Sequence, residues 1–187
     1  MGSHLAGIVA LFVDTFGEKS SPADAILWDP MPSTERIREF LLELPHVVET
    51  MQFGDNLVFW VGDKAIGGKM FAMVQLSGGG ISGSAHSETK GGVLWYPAGP
   101  ERYPELLEIE GIFPAPYLAR IHWVAVREWR VFRPAEWEDE LRAAHQITYA
   151  KLPPKTLKAL ALPIKQQRKL IAERRATLAK KKAAEKK

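Results

Sequence analysis

The spacing of apolar positions changes along this chain, and each change marks an element. From Thr34 to Leu44, Ile37, Phe40, Leu41 and Leu44 recur at i, i+3, i+4 and i+7, which places one apolar stripe on a helix of 3.6 residues per turn. Ser33 stands where an N-cap is needed and Glu35 suits the positive helix start. Pro45 ends the element, because a residue before proline is pushed out of the helical region. Beyond it the helical period disappears. Four short apolar runs follow, LVFWV (57–61), GGKMFAMVQL (67–76), VLWYP (93–97) and RIHWVAV (120–126). Their aromatic and β-branched content and the glycine clusters between them predict strands. The first two are apolar on both faces, which predicts a sheet covered on one side and partly on the other.

Two further helices complete the pattern. Tyr103 to Ile109 reads as a short helix with Pro104 in its first turn and Leu106 and Leu107 buried. Pro134 to Ala150 is stronger. Pro134 takes the first turn, Glu136, Glu138, Asp139 and Glu140 load the N-terminal end, and Trp137, Leu141, Ala144 and Ile147 form the buried stripe. Pro153 and Pro154 close it. The order α-β-β-β-α-β-α with short connections predicts an α+β fold on an antiparallel sheet, with the N- and C-terminal helices packed on it. That domain spans residues 33–154.

The flanks read differently. Residues 1–32 lack periodicity, and Gly17 to Pro32 mixes Gly, Ser, Pro and Asp, so a weakly ordered extension is expected. A chain starting at Met31 is then expected to fold as well as the whole. The competing reading is an arm whose LFVDTF segment (11–16) packs on the domain. Residues 155–187 form a basic tail, partly helical or disordered.

Charge sharpens this division. The net +3 and isoelectric point near 9.1 belong to the tail. Residues 31–152 hold twelve Lys/Arg against sixteen acids, whereas residues 153–187 hold twelve against two. A mildly acidic body is a poor electrostatic match for nucleic acid, and the tail is a good one.

Absences exclude several classes. The chain has no cysteine, which removes disulfide scaffolds, thiolate zinc sites and cysteine nucleophiles and suits the cytoplasm. The Leu5 to Val13 apolar run is far shorter than the roughly 20 residues that span a bilayer, so no membrane span is expected. A signal peptide is disfavoured because no Lys or Arg precedes that run.

Several segments carry a family resemblance. LPHVVETMQFG (44–54), VGDKAIGGKMFAMV (61–74), AGPERYPELLEIEG (98–111) and GIFPAPYLARIHWVAV (111–126) resemble the MmcQ/YjbR family over roughly Ser33 to Leu152. The most specific pieces are the Leu-Pro end of the first helix followed by Glu49 and Phe53-Gly54, and the signature at Pro116, Tyr117, His122 and Trp123. The resemblance implies a frataxin-like, double-wing sandwich and a family label of predicted DNA binding. The glycine-rich loop at 78–83, the N-terminal extension and the lysine-rich tail depart from the family pattern.

Candidate chemistry is sparse. Gly78, Gly80 and Gly83 satisfy G-x-G-x-x-G after a strand, but the following SGSAHSETKGG (82–92) has no helical period to meet a pyrophosphate. His4, His46, His86, His122 and His145 are scattered, with no two at ligand spacing. No catalytic residue, metal site or cofactor is expected. One cleft stands out: strand alternation would put Arg120 and His122 on one face beside Tyr117, where an approaching Glu49 would tune their pKa values. The competing reading is a structural Arg120–Glu49 pair with His122 at the sheet edge. His145, at the edge of its helix stripe, reads as a packing residue.

In the tail, Lys165, Arg168, Lys169, Arg174, Arg175, Lys180, Lys181 and Lys182 suit phosphate contacts on DNA or RNA. With no aromatic residue among them, base stacking is not on offer. The leading expectation is a non-enzymatic cytoplasmic protein that contacts nucleic acid through this tail, with the domain as platform or as the unit of a homodimer. The alternative is a module binding a peptide or small anion at Tyr117, Arg120 and His122, and an enzyme using His122 ranks last.

Overall fold

The computed structural model describes residues 32–76 and 93–184. The expected weakly ordered extension, apart from Pro32, the start at Met31 and the loop containing Gly78, Gly80 and Gly83 all lie outside the described residues. Helix α1 (Thr34–Glu43) begins as its sequence requires. Ser33 Oγ accepts from the Arg36 N–H at 3.2 Å, and Leu44 leaves the helix in extended conformation ahead of Pro45. Strands β1 (Val47–Gln52), β2 (Asn56–Val61), β3 (Lys69–Gln75), β4 (Leu94–Pro97), β5 (Ile112–Pro114) and β6 (Trp123–Val126) follow, with α2 (Gly99–Leu106) between β4 and β5. After β6 come α3 (Pro134–Ala150), α4 (Pro154–Leu160) and α5 (Ile164–Ala184). The six strands form one sheet in the order β1-β2-β3-β4-β6-β5, and every pairing is antiparallel.

The two-faced apolar strands explain the layers. Leu57, Phe59 and Val61 of β2 point into the main core with Leu41 of α1, Leu106 of α2, and Trp137 and Leu141 of α3. The alternate residues Val58, Met73, Trp95 and Ala125 make a second apolar cluster, against which Ala115 and Leu118 pack. A register shift opposite Phe59 and Trp60 leaves Phe71 as an extra residue on β3. This bulge lets both Phe71 and Ala72 face the main core.

The structure corrects several expected boundaries. β1 and β5 are not among the expected strands: β1, with the sequence VVETMQ, is a half-exposed edge strand without a continuous apolar run, and β5 has only three residues. The helix expected at Tyr103 to Ile109 starts earlier, at Gly99, so that Pro100 occupies the tolerated first turn and Pro104 lies inside. The strand expected from Arg120 starts only at Trp123. Ala119–Ile121 forms a 3-10 turn, and His122 has φ 59°, a left-handed value incompatible with a strand.

Burial continues past the expected domain edge at 154. Thr156, Ala159 and Leu160 of α4 are buried, and Leu170 and Ile171 of α5 pack against the main core. The Thr156 hydroxyl donates to the Ile66 carbonyl at 2.8 Å, which ties α4 to the turn after β2.

Candidate nucleic-acid interface

The basic segment is built as a docked helix. Pro163 precedes α5, and the Gln167 amide donates to the Leu160 and Leu162 carbonyls at 2.6 and 2.7 Å, fixing the corner between α4 and α5. Leu170 and Ile171 then anchor the helix on the core. Farther along, the Arg175 guanidinium pairs with the carboxylate of Asp63, which is buried while Arg175 is largely exposed.

Asp63 lies in the turn Gly62–Gly68, within one of the segments that carried the family resemblance. Its other oxygen accepts from the Ala65 N–H at 2.8 Å and caps the 3-10 turn Lys64–Ile66. The glycines here are backbone requirements. A Cβ on Gly68 would sit 1.8 Å from the Gly62 carbonyl oxygen, and Gly67 has φ +92°. The GDKAIGG sequence is therefore a docking node for α4 and α5.

Docking divides the tail cations. At 3.6 residues per turn, Lys165, Lys169 and Lys180 lie opposite the Leu170, Ile171 and Leu178 stripe, with Arg168 on the flank. These four are exposed and form no hydrogen bond or ion pair among the described residues. Lys181 and Lys182 instead line a cavity of about 540 Å³ between α5 and the β1–β2 hairpin, together with Arg175. Arg174 lines a neighbouring cavity of about 360 Å³ beside Thr156.

The larger cavity also contains the tryptophan of the LVFWV run. Trp60 of β2 is half-buried, and its Nε1–H donates to Thr50 Oγ1 at 2.8 Å. Lys64 Nζ lies 4.6 Å from the Trp60 ring centroid and donates to Gln52 Oε1 at 3.0 Å. Trp60 and Arg175 are far apart in the chain, so no local spacing signals that they share a cavity.

The expected cleft does not assemble. Glu49 lies on β1 and takes a two-pronged contact from Arg38, at 2.5 and 3.1 Å, which raises the Arg38 pKa. With β1 and β6 four places apart in the sheet, a spacing near 4.8 Å per strand puts Glu49 about 19 Å from the start of β6. Because Arg120 is in the 3-10 turn and His122 follows in left-handed conformation, they do not share a strand face. The His122 ring makes an edge contact with Tyr103 at 5.4 Å and has no hydrogen bond or ion pair among the described residues. Tyr117 is 81% exposed, also at positive φ.

A further cavity, of about 450 Å³, is bounded by Pro45, His46, Arg142, His145 and Tyr149. His145 is the packing residue its position predicts. Its Nε2 is 2.9 Å from the Pro45 carbonyl, and its ring meets Phe71 edge-on. Among the described residues no group of three or more His, Asp or Glu is arranged to hold a metal, and no helix is long and apolar enough to cross a membrane.

A comparison with family models decides the relationship: the YjbR model matches residues 42–147, more than half of the chain. The chain belongs to the YjbR family. No curated protein matches it. A solved crystal structure, that of Deinococcus radiodurans protein DR2400 with its DUF419 domain, matches at 28% identity and TM-score 0.55, covering 72% of this chain and 91% of that one. The YjbR match begins within α1 and ends within α3. Helices α4 and α5, with the basic residues, thus lie outside the matched stretch.

Proposed function

We propose that this YjbR-family chain is a non-enzymatic cytoplasmic protein that binds nucleic acid through the phosphate backbone, using α5 as its contact element. One observation carries the reading: a 21-residue helix, about 31 Å long, is held on a mildly acidic domain and bears eight Lys/Arg against the single acid Glu173. Such a surface attracts polyanions by releasing condensed counterions, and it reads no base edges. A lysine-rich helix of this kind supports association with DNA or RNA without sequence preference.

The test is binding of a labelled duplex at low salt to the full chain and to a variant with Lys165, Arg168, Lys169 and Lys180 all changed to Gln. These side chains are exposed, so the fold should be unaffected. The expected result is at least a tenfold loss of affinity. Undiminished binding by the variant would overturn the proposal and move the contact onto the sheet or its hairpins.

A further inference from the structure

The cavity between α5 and the β1–β2 hairpin has a composition that backbone attraction alone does not require. Its wall is mostly apolar, supplied by Val48, Leu178 and Ala179, and the Trp60 indole forms one side. Thr50 holds that ring in place, because its hydroxyl accepts the indole N–H and is itself tied to Gln52 and the Val58 carbonyl. At the rim lie Lys64, Lys181 and Lys182, and Arg175 is paired there with Asp63. At about 540 Å³ the space lies within the range of sites that enclose small molecules. A preorganised aromatic ring in an apolar wall, with cations at the rim, matches a flat ring that carries a phosphate.

Resting on the reading of α5 as the backbone contact, we propose that this cavity takes one unpaired nucleotide of a nucleic-acid strand. Its base lies against Trp60 and its phosphate among Lys64, Lys181 and Lys182. The ammonium of Lys64, which covers the indole in the free protein, swings to the phosphate as the base arrives. The strand leaving the cavity runs onto Lys180 and the outward cations of the same helix. A duplex cannot place a base here without unpairing it, so single strands should bind in a mode that duplexes lack. The tail supplies no aromatic residue, and the fold supplies one from β2.

The same chemistry is present in a free mononucleotide, so the experiment needs three probes: a labelled oligothymidylate of about 20 nucleotides, a duplex of equal length, and thymidine monophosphate. Anisotropy titrations at one ionic strength compare the full chain with Trp60→Leu and Trp60→Phe. Stacking of one base on an aromatic side chain predicts that Trp60→Leu weakens the single strand about tenfold. Trp60→Phe should stay within about threefold, and duplex affinity should be the same for all three proteins. Ala179→Leu fills the cavity from an exposed helix position and should reproduce the selective loss without touching the sheet.

If both probes bind and neither Trp60→Leu nor Ala179→Leu changes the single strand, the cavity proposal is overturned while the α5 reading stands. If the unaltered chain binds neither probe, both fall. Trp60-dependent binding of thymidine monophosphate without binding of the oligonucleotide would overturn the strand as occupant.

Discussion

Gly68 and Gly54 show how differently two glycines can be constrained. A Cβ on Gly68 would meet backbone, 1.8 Å from the Gly62 carbonyl oxygen and 2.4 Å from its carbon, and backbone here cannot give way without moving the Asp63 node. Gly54, at φ +83° in the β1–β2 turn, has no atom within 4 Å of such a Cβ. Gly68→Ala should therefore lose about 2–4 kcal/mol in urea denaturation, in the range of severe packing defects. Gly54→Ala should lose only about 1 kcal/mol, the left-handed strain of a residue with a side chain. Equal losses would show that the Gly62–Gly68 turn relaxes freely.

His145 supplies the residue-scale pH dependence. Burial lowers its pKa, the bond to the Pro45 carbonyl opposes that, and nearby His46 adds to the lowering. The unfolded chain thus binds this proton more readily than the folded one. Stability from this group is complete above about pH 6.5, the unfolded value, and is lost as pH falls through the lower folded value. Arg142, His46 and Tyr149 border the same cavity and are shared by wild type and variant. Between pH 7.5 and 5, the wild-type melting temperature should fall more steeply than that of His145→Gln. Parallel curves would remove His145 as the source.

Among the elements, α5 depends most on a contact made across the chain. It has few apolar residues, and its second half is held by Arg175 on Asp63. Asp63→Asn keeps an oxygen for the Ala65 N–H and removes the ion pair. Because Arg175 is 65% exposed, global stability should change by about 1 kcal/mol or less. Amide exchange beyond Ile171 should accelerate well before that of α3. Unchanged protection there would mean that Leu170 and Ile171 alone hold the helix.

The legibility of the elements in the sequence follows the same physics. Helices α1 and α3 were readable to within a residue, because stripe and flanking proline agreed in both and Ser33 added a cap to α1. β2, β3 and β4 were readable as apolar runs. β1, half-exposed on the sheet edge, and the three-residue β5 lacked such a run. The failure at Arg120 and His122 has a specific cause: alternation assumes extended backbone, and the φ of 59° at His122 is set by the loop between Ala115 and Trp123. The tail cations were visible as charge, but their division into outward and cavity-lining sets depends on the docking at Asp63, which no local pattern carries.

For the whole molecule, the decisive property is an acidic body with a basic helix fixed to it. If α5 binds duplex DNA while docked, only its outward set, Lys165, Arg168, Lys169 and Lys180, faces the phosphates together. Arg175 is held by Asp63, and Arg174, Lys181 and Lys182 line cavities. Four phosphate contacts predict a slope of log affinity against log salt of about −3.6, from roughly −0.9 per contact on duplex DNA. Detachment of the helix would free all eight cations of α5 and steepen the slope to about −7. The same titration with Asp63→Asn separates the cases, because weakening the dock shifts the population toward the detached form. A wild-type slope near −4 that steepens in Asp63→Asn is the expected outcome. A wild-type slope already near −7 and unchanged by the substitution would show that α5 engages DNA free of the domain.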